Sequence, residues 1–262
     1  MVNKQHYTFG DTDLAAERLR VLARVFEPSS SRLLRGLASS PGELALDLGC
    51  GPGFTTQLVA EHIAAPRVVG LDQSSKLLEQ ATRERGTERV SFALCDVSAP
   101  PFALPGASFL YSRFLLTHLR DPAQVVRGWA SCAQPAARLV LEETAFLTGE
   151  HSAFPRYYAL VERMQTHYGQ RMYIGRELAA LCGSPGWLVE SAEISVSPLP
   201  AADMARLHFL NLQTWSSDPF ARANYPAAEL VELGRELEAI ASGIVVTSAV
   251  SCGMGQVVLR RT

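Results

Sequence analysis

The sequence predicts an α/β protein built on a doubly wound, mostly parallel sheet of seven strands with helices inserted around it. Two observations carry that expectation. Between Leu44 and Glu142, short apolar runs of strand length alternate with segments of helical periodicity, as in βαβ units whose helices cover both faces of a parallel sheet. The first of these runs ends in glycines, Gly49, Gly51 and Gly53, just before a helical segment, which is where such sheets receive their ligands.

Taken in order, residues 14–37 place apolar side chains at helical spacing, broken at Pro28 and the Ser29–Ser31 run; this predicts two short helices. A turn cluster at 39–42 leads into a strand at 44–48, and helices at 54–63 and 74–85 then alternate with strands at 67–71 and 90–95. A strand around 109–112, a helix from about 122 to 132 and a strand at 138–142 complete five parallel strands. The pattern then loosens. Helical segments are expected at 152–168, 175–181, 201–215 and 226–241, with strands at 187–196 and 256–260. The 262 residues show no repeat and no low-complexity linker, so one domain is expected. It divides into an N-terminal helical lid to about residue 41, a core at about 42–146, and inserts with the last strands at about 147–262.

Composition narrows the partners. Only 19% of residues are charged and the net charge is −2, so neither nucleic acid nor a membrane surface is expected as a partner. The five cysteines form no Cys-x-x-Cys pair, which argues against zinc or redox work and fits a reducing cytoplasm. No stretch reads as a secretory signal or a membrane span. A soluble cytoplasmic protein is expected, with its oligomeric state open.

The chemistry concentrates at Asp47-Leu48-Gly49-Cys50-Gly51-Pro52-Gly53. A dinucleotide site of the Gly-x-Gly-x-x-Gly type would need glycine at position 54, which is Phe54. The stretch instead resembles the Asp/Glu-x-Gly-x-Gly-x-Gly signature of class I S-adenosylmethionine-dependent methyltransferases, of the small-molecule type similar to the ubiquinone and menaquinone group. That resemblance implies a Rossmann-like fold and S-adenosyl-L-methionine as cofactor. An acid at the strand end suits the cationic methionine part better than a pyrophosphate, and this is the expectation for Asp47. The resemblance gives backbone approach to Gly49, Cys50, Gly51 and Gly53, and the ribose hydroxyls to Asp72 beside Gln73. It gives the adenine amino group to Asp96 and a ring nitrogen to the Val97 N–H. In the segment after the fourth strand, Ser112 and the carbonyl of Arg113 fall beside the methionyl group and Phe114 near the reacting methyl. Tyr7 and Arg18, in a lid-like N-terminal segment, are candidates for the cofactor carboxylate, since arginine offers a bidentate fork; a solvated Arg18 is the plainer alternative.

His118, within Leu116-Thr117-His118-Leu119, is the candidate general base, with a packing role as the alternative. His167 is a weaker candidate. Glu142-Glu143 ends the fifth strand and faces either the cleft or solvent. The candidate acceptor pocket is Phe114, Tyr157, Tyr158, Tyr173, His208 and Trp215, although such aromatics also serve to pack inserted helices. No His/Asp/Glu constellation calls for a metal. The function implied is methyl transfer from S-adenosylmethionine to oxygen, nitrogen or carbon of a small, flat or aromatic metabolite. An RNA or protein methyltransferase, or a non-methylating S-adenosylmethionine-binding protein of the same fold, are the alternatives.

Overall fold

The structure is a computed structural model and describes residues 13–37, 42–102, 104–182 and 185–262. Tyr7 and most of the turn cluster at 39–42 lie outside the described residues. One seven-stranded sheet has the order β3-β2-β1-β4-β5-β7-β6. Strands β1 (Leu44–Leu48), β2 (Arg67–Asp72), β3 (Val90–Leu94), β4 (Ala107–Arg113) and β5 (Ala133–Thr148) pair in parallel. β7 (Val250–Arg261) runs antiparallel between β5 and β6 (Trp187–Leu199).

The period-two alternation of the strands explains how both faces are covered. Ala45, Val68, Phe109, Tyr111, Val140 and Val258 share one buried face with Leu34, Leu58 and Val59, from helices α1 (Asp13–Arg35) and α2 (Phe54–His62). Their strand neighbours Leu46, Val69, Leu110, Leu139 and Leu259 point the other way, onto Val126, Trp129 and Leu178. These last belong to α4 (Pro122–Trp129) and α6 (Leu178–Cys182). Helix α3 (Ser75–Arg85) is capped by Ser74, whose side chain accepts from Leu77 N. The switch in strand order between β1 and β4 opens a crevice at the carboxyl ends of these strands, and the site lies there.

The inserts form a separate apolar layer. Tyr157, Tyr158 and Met164 of α5 (Ala153–His167), Met204, Leu207 and Trp215 of α7 (Ala201–Trp215), and Leu233 and Leu237 of α9 (Ala227–Ala241) pack with Val21, Val25 and Phe26 of α1. Helix α1 thus touches both the sheet and the inserts, and it forms the upper wall of the crevice.

Differences from the sequence expectation trace largely to packing. The two N-terminal helices are one, with Pro28 inside it, because the serines after the proline are buried and bonded. Arg113 Nη1 donates to Ser30 Oγ at 2.8 Å, and Gln256 Nε2 to Ser29 Oγ at 3.3 Å. Strand β5 runs on past Glu142 since both glutamates there are buried rather than solvated. Strand β7 starts earlier than expected, at Val250. Its glycines are sites of close approach: a Cβ on Gly253 would lie 2.2 Å from the Phe146 ring, and one on Gly255 2.2 Å from Gly175 O. The segment at 175–181 resolves into a 3-10 turn (Ile174–Arg176) and α6, and a short α8 (Pro219–Asn224) appears, capped by Asp218.

Candidate functional site

The glycine turn is built from β1 and β2 together. Gly49 N and Cys50 N donate to Leu71 O at 2.8 and 3.0 Å, and Gly51 N donates to Asp72 Oδ2 at 2.8 Å. The other oxygen of Asp72 accepts from Ser74 N at 2.9 Å. Asp72 therefore braces the turn while its carboxylate faces the crevice. Burial raises its pKa and the backbone donors lower it. Gly51 sits at φ +52 with open space over it, the nearest atom to a built Cβ being Leu19 Cδ1 at 4.0 Å. Gly53, at φ +85, is enclosed instead: a Cβ there would lie 2.7 Å from two Phe92 ring carbons. One glycine leaves room for a ligand, whereas the other lets α2 start tight against the sheet.

Asp47 does not line the crevice. Its side chain is 1% exposed, and Oδ2 accepts from Thr55 Oγ1 at 2.6 Å and Thr56 Oγ1 at 2.7 Å. Burial pushes its pKa up to about 6, with the two threonine bonds and the Arg113 charge opposing. The acid ties the first turn of α2 to β1.

The crevice has a volume of about 470 Å³. Of the residues expected around a cofactor, the structure brings Arg18, Gly49, Cys50, Gly51, Asp72, Gln73, Asp96, Val97, Arg113 and Phe114 to its wall, with His118 at one end. Gly53 and Ser112 are not on that wall. Ser112 is buried, its Oγ bonded to Leu48 O at 3.1 Å, and it holds β4 to β1. Asp96, two residues past the end of β3, is exposed, and its Oδ1 accepts from Ser98 N and Oγ at 3.0 and 2.6 Å. Behind it, Val97 O accepts from Trp129 Nε1 at 2.7 Å, which fixes the backbone of the crevice edge.

Residues 114–119 form the opposite wall. Phe114 has φ +56, an uncommon conformation for a bulky residue, and its ring meets Phe26 edge-on at 4.9 Å between centroids. His118 is held neutral, its pKa pushed down to about 4, first by burial and second by the Arg18 charge, against a hydrogen bond to Gln170. Arg18 itself is buried on the crevice wall rather than solvated.

Tyr157, Tyr158, Tyr173, His208 and Trp215 do not line this crevice, whereas Phe114, the sixth residue of the expected acceptor pocket, does. All but Tyr173 are buried in the insert layer. His208 stacks on Tyr157 at 4.2 Å between centroids, and its Nε2 lies 3.2 Å from Tyr158 Oη; burial pushes its pKa down to about 3. Tyr173 lies under the Arg176 guanidinium at 5.0 Å, and His167 stacks on Phe220 at 4.3 Å. The large apolar surfaces that suggested a pocket are spent on packing helices to one another. The crevice wall uses Leu19, Leu22, Leu115 and Leu119 instead, residues that sequence reading had assigned only to helix periodicity or not singled out. Leu19 and Leu22 belong to the apolar stripe of α1, but nothing local distinguishes a stripe facing a crevice from one facing a core. Glu142 and Glu143 are both buried, facing neither crevice nor solvent.

Residues 45–136, the span containing the glycine turn, Asp72, Asp96 and the 114–119 loop, match the family model described as a methyltransferase domain. Over that span the chain is similar to this family. The chain is 31% identical over 163 residues to an uncharacterized 37.1 kDa protein in a transposon of Streptomyces fradiae, covering 61% of this chain and 47% of that one. It is 38% identical over 116 residues to trans-aconitate 2-methyltransferase of Methylobacterium radiotolerans, covering 44% and 43%. Thus it spans less than half the length of these two relatives. Aklanonic acid methyltransferase DauC of a Streptomyces species is 24% identical over 76% of this chain and 90% of its own. Among solved structures, a methyltransferase-fold protein from Bacillus halodurans C-125 superposes with a TM-score of 0.59 at 18% identity, over 88% of this chain and 98% of its own. The [4+2]-cyclase SpnF does so at 0.55 and 18%, over 98% and 87%. At such identities the likeness is one of fold. No helix among the described residues is long and apolar enough to cross a membrane.

Proposed function

We propose that this chain binds S-adenosyl-L-methionine in the crevice and transfers its methyl group to a small organic molecule. The observation that carries the reading is the Gly51–Asp72 pair. A turn braced by a carboxylate leaves open space over a glycine, so ligand atoms can approach the backbone while the same carboxylate keeps lone pairs for ribose hydroxyls. The donor set fits the cofactor along its length. Asp96 and the Val97 N–H suit the adenine, Asp72 and Gln73 the ribose, and Gly49 with the Arg113 carbonyl the methionine amino group. Arg18 suits the carboxylate; Tyr7, its expected companion, is outside the described residues.

When bound, the cofactor supplies a methyl group on a sulfonium, open to in-line displacement. What the protein adds is alignment and exclusion of water. Helix α1 covers the crevice with Leu19 and Leu22, and Phe114, Leu115 and Leu119 complete an apolar wall on the acceptor side. His118, with its pKa pushed down to about 4 by burial and the Arg18 charge, is neutral at physiological pH but a weak proton acceptor, so its part here is to line the wall. Relatives named for trans-aconitate and aklanonic acid and a net charge of −2 favour a metabolite over a nucleic acid or protein acceptor. The same fold in a [4+2]-cyclase keeps a non-methylating use of the site as the second reading. Titration calorimetry with S-adenosylhomocysteine tests the first step, and acceptor-dependent release of S-adenosylhomocysteine from a metabolite pool tests the second. Binding of NADH without either S-adenosyl compound overturns the reading.

A further inference from the structure

Strand β5 carries two consecutive glutamates, and the strand alternation sends them to opposite faces of the sheet. Glu142 shares its face with Tyr111 and Gln256: Tyr111 Oη donates to one carboxylate oxygen, and Gln256 Nε2 to the other at 2.6 Å. Glu143 faces the other way and is 1% exposed. It has no charged partner within ion-pair distance among the described residues. Its Oε1 accepts from the backbone N–H of Leu116 at 2.6 Å, the amides of Leu115 and Thr117 add their dipoles, and its Oε2 has no hydrogen-bond partner.

Leu116 belongs to the loop at 114–119, four of whose residues, Phe114, Leu115, His118 and Leu119, are on the crevice wall. The loop starts with Phe114 at positive φ, a conformation that persists only where the surroundings over-determine it. Two bonds hang its first turn from β5, Phe114 N to Glu142 O at 3.0 Å and Leu116 N to Glu143 Oε1. At the far end Thr117 Oγ1 donates to Arg171 O at 2.7 Å. Leu115, between those two bonds, lies against the glycine turn: its Cδ1 is 3.1 Å from where a Cβ on Gly49 would be.

We propose that Glu143 is a positioning residue for the cofactor site, a buried acceptor that fixes the 114–119 loop against the glycine turn without touching ligand. This rests on the S-adenosylmethionine reading for its binding consequence, though not for the loop itself. Burying a carboxylate costs stability, and a packed apolar side chain would serve the core better. A cost of that kind is offset where the acceptor holds a particular backbone conformation. The burial shows in the carboxyl group, whose pKa is pushed up to about 8 even though three amides act to lower it.

The test compares Glu143→Leu, which keeps the volume and removes the acceptor, with Glu143→Gln, which keeps one oxygen for Leu116 N–H. Two readouts are needed: calorimetric affinity for S-adenosylhomocysteine, and amide hydrogen exchange of the folded protein. Glu143→Leu is expected to weaken binding about tenfold or more and to speed exchange selectively at residues 115–117, while Glu143→Gln stays within about threefold of wild type on both. Wild-type affinity and exchange in Glu143→Leu overturn the proposal. So does a Glu143→Gln variant as impaired as Glu143→Leu, because charge and not an acceptor would then be what matters. If Glu143→Leu does not fold, wild-type exchange decides: Leu116 N–H protected like the β5 amides supports the anchor, and exchange at the rate of an exposed loop refutes it. A wild type that binds no S-adenosylhomocysteine sinks the proposed function instead and leaves the exchange arm to judge the anchor.

Discussion

Replacing Gly51 by alanine separates the ligand-facing part of the turn from its structural part. The added methyl meets nothing closer than Leu19 Cδ1 at 4.0 Å, so the cost to the fold is the positive φ alone, roughly 1–2 kcal/mol for a residue with a Cβ. For a chain of this size, each kcal/mol lowers the melting temperature by about 2–4 °C. Gly53→Ala bears the same strain plus contacts of 2.7 Å with the Phe92 ring and 3.2 Å with Ala81 Cβ, which add about 1–3 kcal/mol of overpacking. Thermal denaturation is therefore expected to rank wild type above Gly51→Ala and Gly51→Ala above Gly53→Ala. Affinity should reverse the order of the two variants. The Gly51 methyl occupies the space where ligand must approach the turn, and S-adenosylhomocysteine binding should fall at least about tenfold, equivalent to about 1.4 kcal/mol. Calorimetry on both variants reads this directly. A Gly51→Ala protein that melts lower yet binds as wild type does would show that the open space is not the ligand's, and the placement of the cofactor over this turn would fail.

Asp72→Ala removes the brace of Gly51 N as well as the ribose acceptor, so it should lose more affinity than Asp72→Asn, which keeps one oxygen; equal losses by calorimetry would mean that only the charge counts. Trp215→Ala, which empties a fully buried site in the insert layer, should cost about 3–5 kcal/mol of stability with little direct effect on S-adenosylhomocysteine affinity at a temperature where the variant is folded. A stable variant with impaired turnover would return Trp215 to the acceptor site. His208 is neutral in the folded protein, with a pKa near 3 against 6.5 unfolded. Its contribution to stability is complete above pH 6.5 and lost as pH falls toward 3. His208→Phe, which keeps the stacking on Tyr157, should flatten the fall in melting temperature between pH 6.5 and 4. Asp47 and Glu143, whose raised pKa values act in the opposite sense, are common to both proteins and cancel in the comparison. An unchanged slope would mean that His208 protonates without unfolding.

The sequence alone marks the frame and much of the crevice wall. The βαβ alternation from 44 to 142 is a local signal. The spacing of Gly49, Gly51, Gly53, Asp72 and Asp96 places each at a strand end, because a strand of five or six residues has only one end at which a turn can follow. Gly49, Gly51, Asp72 and Asp96 then meet on the crevice wall because the parallel order β3-β2-β1 sets their strand ends side by side. Tertiary structure decided everything that depends on which buried neighbour a side chain finds. Asp47 carries the same local pattern whether it faces a ligand or Thr55 and Thr56, and only the packing of α2 on β1 settles it. Tyr157, His208 and Trp215 are amphipathic aromatics on helical stripes; the arrangement of α5, α7 and α9 sends them into the insert layer and leaves the apolar part of the crevice wall mainly to leucines with Phe54 and Phe114. Glu142 and Glu143 read as a polar strand end because carboxylates are rarely buried. They are buried because donors separated widely in sequence, Tyr111, Gln256 and the Leu116 amide, converge on the two faces of one strand, and no local pattern records such convergence.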